Sequence, residues 1–126
     1  MSRSVLLQLA RDSIAEVLQA QRTIDKHTLI EQHPLLNERI PTTVNLYIND
    51  ELRGSAQTLD NSETLLASIV KNAKRSAFED TNFTPISTSE YLDCEVEILL
   101  TTPDGVISEK DPAIIDGMSD LGINGI

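Results

Sequence analysis

The sequence predicts an α+β domain in which an antiparallel sheet packs against two main helices. Three observations carry this expectation. Apolar residues recur at three- and four-residue steps in one segment near the start and another in the middle, and alternate residue by residue over 44–49 and 92–100. Short turn-forming stretches, Asn49-Asp50-Glu51 and Pro103-Asp104-Gly105, stand where strands would reverse. The chain has 126 residues, a length that fits a single domain spanning 1–126. Aromatic residues make up 3% and tryptophan is missing, so the core must be aliphatic.

Taken in order, residues 4–21 form the first helix, with Leu6, Leu7, Ala10, Ile14, Val17 and Leu18 on one face. Arg3, Arg11, Asp12 and Glu16 lie off that face and read as solvated. Residues 22–41 are polar and punctuated by Pro34 and Pro41, a connector with one short helix near 26–32. Val44, Leu46 and Ile48 then share one face of a strand, and Leu52 to Leu59 return as the second arm of a hairpin. Gly54 inside that arm marks a bulge or a close backbone approach.

Asp60 and Glu63 stand in capping-box spacing, with Asp60 as N-cap of a helix running to about Phe78. Ser87 and Glu90 repeat the spacing and open a short turn at 88–92. Leu92 to Leu100 is the strongest strand, central in the sheet, with Cys94 on its inward face. Val106-Ile107 begins a return strand, residues 112–121 form a short helix, and Ile123 to Ile126 opens another strand.

Charge narrows the function classes. The chain carries 20 acidic and 10 basic residues, a formal net charge of −10. Residues 79–126 contain Lys110 as their single base, so the whole excess sits in the last third. Nucleic-acid binding runs on lysine and arginine neutralising phosphates, and anionic membranes select the same residues, so neither partner is expected. No apolar run is long enough to cross a bilayer. The lone Cys94 can form no internal disulfide, which fits a reducing cytoplasm.

Candidate chemistry is sparse. Asp93, Glu95 and Glu97 alternate along a strand and read as its outward polar face. His27 and His33 are six apart, a spacing that matches no usual ligand pair on a helix. Buried in an acidic stretch, Cys94 lacks what activates a thiol. No P-loop, dinucleotide fingerprint or metalloprotease motif occurs, so no cofactor or metal is expected and no catalytic residue is assigned. Arg53, Gly54 and Ser55 are the candidate ligand site. The glycine leaves backbone accessible beside a long cation able to clamp a carboxylate or phosphate, unless a surface acid already pairs with it.

Four stretches resemble the AMMECR-type domain family, named for a human chromosomal region deleted in a syndrome of Alport features and elliptocytosis. They are Leu6 to Arg11, Val44 to Gly54 with its Leu-Arg-Gly ending, Ile69 to Pro85, and Tyr91 to Leu99. The resemblance implies an AMMECR-like fold. Ser55-Ala56-Gln57 follows Gly54 where the family usually reads Cys-Ile-Gly. Family members also continue for some tens of residues beyond the corresponding end, contributing strands and a helix that close a cleft. Microbial members often neighbour genes for Memo-type and radical-SAM proteins, which implies a shared pathway. With the family cysteine replaced, the expected role is a cytoplasmic binding or adaptor protein working through protein contacts. The alternative is a small-molecule enzyme, or enzyme component, with its site around Arg53-Gly54. The apolar, glycine-spaced segment Leu121 to Ile126 further suggests a homodimer through surface that a longer tail would cover.

Overall fold

A computed structural model describes residues 4–58 and 61–114. Helix α1 spans Val5–Gln19, α2 Lys26–Gln32, α3 Leu65–Phe78 and α4 Thr88–Asp93, with a 3-10 turn at Pro34–Asn37. Strands β1 (Thr42–Ile48), β2 (Glu51–Gln57), β3 (Glu95–Thr102) and β4 (Gly105–Asp111) form one four-stranded sheet in the order β2-β1-β3-β4. Every neighbouring pair is antiparallel. The α+β class is therefore as expected: α3 lies over β1 and β2, α1 packs beside it toward β3, and β3 is interior.

Local chemistry explains the elements. Ser4 caps α1 by accepting the Leu7 N–H, and Ala20 closes the helix in the left-handed region at φ 53°. Asn49 and Asp50, at φ 53° and 65°, form the two-residue β1–β2 turn, a conformation that asparagine and aspartate tolerate better than other side chains. Ser87 and Glu90 complete a reciprocal capping box on α4. Buried Val44, Leu46, Val96, Ile98 and Leu100 meet Leu6, Leu9, Ile14, Leu65, Ile69 and Ala73 in an aliphatic core.

Several expectations need correction. Helix α3 starts at Leu65 with Thr64, not Asp60, as N-cap; Asp60 itself lies outside the described residues. Leu92 and Asp93 belong to α4, so β3 begins only at Glu95 and the three-carboxylate ladder does not form. A helix at 112–121 is not seen at residues 112–114, and its remainder, with the 123–126 strand, lies outside the described residues.

The largest correction concerns the charged residues of α1. Arg11 is 1% exposed and Glu16 9%, although both are expected to be solvated; Glu16 lies off the apolar stripe by periodicity, whereas Arg11, four residues after Leu7, stands at its edge. The connector after α1 folds back over Glu16. Its Oε2 accepts the backbone N–H groups of Thr23 (2.7 Å) and Ile24 (2.8 Å), and its Oε1 pairs with Lys74 Nζ at 3.2 Å. Burial pushes the Glu16 carboxyl up, but the Ile24, Thr23 and Lys74 donors outweigh it and hold the group below its ordinary value.

Candidate functional site

Arg53 owes its position to a bulge. Leu46 pairs with Gly54 and Tyr47 with Leu52, so Arg53 is the extra residue on β2. The displacement sets its guanidinium against α4. Nε donates to Glu90 Oε2 at 2.9 Å, while Nη2 donates to Glu90 Oε1 at 3.1 Å and to the Thr84 carbonyl at 2.9 Å. Phe83 lies 5.5 Å from the guanidinium carbon, within cation–π range. The two-pronged geometry is the one arginine makes with carboxylates. Nη1 is buried and has no hydrogen-bond partner among the described residues.

Gly54 faces the helices. A Cβ there would stand 2.0 Å from the Ser76 carbonyl oxygen of α3, so both the bulge and the close approach are real. Ser55 makes contacts separate from those of Arg53. Its N–H donates to Asp80 Oδ2 at 3.0 Å and its hydroxyl to Asn45 Oδ1 at 2.7 Å. Asn45 Nδ2 (3.1 Å) and the Tyr47 hydroxyl (2.9 Å) both donate to Glu97 Oε1, and Lys110 Nζ sits 4.9 Å from the Tyr47 ring centre. Burial, and then the Glu97 carboxylate, push the Tyr47 phenol above its usual value. The three candidate residues thus enter three different sets of contacts: the α4 clasp, the α3 backbone and the open face of the sheet.

Arg53 also tunes its partner. The Arg53 hydrogen bond, aided by the Ser87 backbone N–H, holds the Glu90 carboxyl below the usual carboxylate range. A depressed folded-state value stabilises the fold above the unfolded-state pKa, and the contribution disappears as pH falls through the folded value. Glu90 is 38% exposed, so solvent screens the pair. Glu90→Gln is expected to cost about 1 kcal/mol in urea unfolding at neutral pH, with the difference from wild type closing in acid. A difference that persists unchanged well below the carboxylate range would contradict this.

No other group supplies an activated nucleophile or a metal site among the described residues. Cys94 is fully buried, and burial pushes its thiol up despite the neighbouring Arg11 guanidinium. His27 is exposed and lies 3.5 Å from Glu31, and His33 is exposed as well. No group of three potential metal ligands occurs among the described residues.

Sequence reasoning missed a buried polar centre. Arg11 Nε donates to Asp111 Oδ2 at 2.6 Å, and Nη2 donates to the carbonyls of Cys94 (2.9 Å) and Pro112 (2.8 Å). Nη1 reaches the Tyr91 carbonyl at 3.3 Å, and the guanidinium carbon lies 5.4 Å from the Tyr91 ring centre. One side chain thereby ties α1 to the end of α4, the start of β3 and the end of β4. Asn72 forms a second buried cluster with Thr42, Thr58 and Ser68. Nothing in the spacing of either residue announces its distant partners.

Comparison with known proteins adds three findings. The model of the family described as AMMECR1 matches residues 7–124. A protein of Sulfolobus acidocaldarius is 30% identical over 126 aligned residues, covering 96% of this chain and 54% of that protein. The crystal structure of an uncharacterised protein from Pyrococcus horikoshii superposes with a TM-score of 0.68 at 30% identity, over 78% of this chain and 50% of that one. The chain therefore spans about half the length of these relatives. No helix among the described residues is long and apolar enough to cross a membrane.

Proposed function

The chain belongs to the AMMECR1 family, and from that membership we propose that it is a binding or adaptor protein that acts through contacts with other polypeptides. One observation carries the reading: the Arg53 fork is already occupied by Glu90 and the Thr84 carbonyl. A clamp for a carboxylate or phosphate needs those donors open. No activated nucleophile stands beside Arg53 among the described residues, the Glu90 carboxylate there is engaged by the guanidinium, and Ser55 is engaged with Asn45 and Asp80. Recognition of another chain requires no such group, and the proposed place of action is the cytoplasm.

The sheet supplies a surface suited to this role. No strand pairs with the outer edge of β4 among the described residues, and Val106 and Ile107 on it are 63% and 54% exposed. Open strand edges and exposed aliphatic side chains favour pairing with another chain. A second copy is the partner in this proposal. Sedimentation equilibrium at high micromolar concentration and moderate salt is expected to show a dimer, and Ile107→Lys to weaken it. A single 13.9 kDa species throughout would contradict self-association.

The alternative, a small-molecule enzyme or enzyme component around Arg53, Gly54 and Ser55, draws on one observation. Arg53 Nη1 keeps donors without a protein partner among the described residues, and a buried donor ordinarily has one. A saturable, Arg53-dependent rise in melting temperature with a small carboxylate or phosphate would favour that reading.

A further inference from the structure

A groove of about 680 Å³ lies between the C-terminal half of α1, the connector to α2 and Val70 and Lys74 of α3, and Arg53 is not among its lining residues. Its volume falls in the range of small-molecule pockets, roughly 300–1,000 Å³. Ile24 and Val70 give it an apolar floor, and Arg22, Lys26 and Lys74 stand around it.

The charge balance of the lining decides what fits. Both carboxylates present are already committed. Glu16 accepts the Thr23 and Ile24 N–H groups and pairs with Lys74, and Asp25 caps α2 by accepting the Thr28 N–H and hydroxyl. Arg22 and Lys26 have no ion-pair partner among the described residues, and both are exposed. In a chain of net charge −10, the groove is lined by three cations against two carboxylates, a formal +1, with Arg22 and Lys26 beside the aliphatic Ile24 and Val70. The Glu16 contacts hold the connector in place before anything binds, which lowers the ordering cost of binding.

We propose that this groove binds a small organic anion, bearing phosphate or several carboxylates, with its charged end between Arg22 and Lys26 and any short apolar portion over Ile24 and Val70. Arginine supplies a planar fork for such a group and lysine a mobile point charge. Site formation and ligand chemistry are independent of the protein-contact role, so either proposal stands if the other fails.

The test is a backbone-amide NMR titration of the chain with pyrophosphate and, separately, citrate, at low and moderate salt. The expected result is saturable shifts confined to residues 21–27 and 70–74 with at least one of the two anions, weakening as salt rises. The Arg22→Gln/Lys26→Gln double variant, altered at exposed positions and checked for an unchanged thermal melt, is expected to bind at least tenfold more weakly. Shifts with pyrophosphate alone would specify a phosphate ligand and with citrate alone a polycarboxylate. No saturable shift with either anion, shifts centred elsewhere, or full affinity in the double variant would overturn the proposal.

Discussion

Replacing Arg11 with alanine is expected to cost about 3–5 kcal/mol, the range for breaking a buried ion pair from one side. The substitution takes from Asp111 Oδ2 a donor at 2.6 Å and removes donors from the carbonyls of Tyr91, Cys94 and Pro112. At 1% and 8% exposure, the two charges have little water to fall back on. Urea unfolding at neutral pH measures the loss, and Cys94 reports where it occurs. Its thiol is fully buried beside Arg11, and in the variant it is expected to react with a thiol reagent before global unfolding. Arg11→Lys is expected to fall between wild type and alanine, because an ammonium cannot reproduce the planar fork. An alanine variant within 1 kcal/mol of wild type would mean that α1 is not tied to β4 through this pair.

Gly54→Ala is expected to destabilise by on the order of 3 kcal/mol, the upper part of the usual range for overpacking. The added methyl would sit 2.0 Å from the Ser76 carbonyl oxygen and 3.0 Å from its carbon, both backbone atoms of α3. A side chain can rotate away from such a contact, whereas a helix backbone must move as a unit. Either β2 shifts outward, loosening the Arg53–Glu90 clasp, or α3 lifts from β1 and opens the core around Ile69 and Ala73. Thermal unfolding reads the loss. The conformation of Gly54 itself is ordinary, so the cost is steric, and an unchanged melting temperature would place α3 farther from β2 than the structure does.

Much of the fold was legible in short-range chemistry. Ser87 and Glu90 stand three apart and cap one helix, Asn49-Asp50 reverses one hairpin, and Gly54 marks a close approach whose partner sequence alone cannot name. Periodicity failed where a polar side chain is buried by a distant partner. Arg11, four residues after Leu7 and three before Ile14, stands at the edge of the apolar stripe, and its charge alone makes it read as solvated; Asp111, 100 positions away, pairs with it there. Glu16 is buried because the following connector doubles back over it. Leu92 reads as strand because its alternation with Cys94 and Val96 runs unbroken through a helix end, and nothing local marks the boundary at Cys94. For the candidate site, the bulge at Arg53 was legible in Gly54. The acid that closes on the arginine lies 37 positions away and was not, and it changes what Arg53 is available to do.

Arg53 forms a closed clasp on α4, with Nε and Nη2 engaged by Glu90 and the Thr84 carbonyl, and is not an open clamp for a ligand in this arrangement. NMR of the arginine Nε–H groups tests it most directly. The expected result is a resolved Arg53 Nε–H resonance that exchanges slowly with water, disappears in Arg53→Gln, moves in Glu90→Gln, and stays in place as phosphate or acetate is added. A solvent-averaged Arg53 signal that shifts saturably with either anion would contradict it and turn attention to the small-molecule reading.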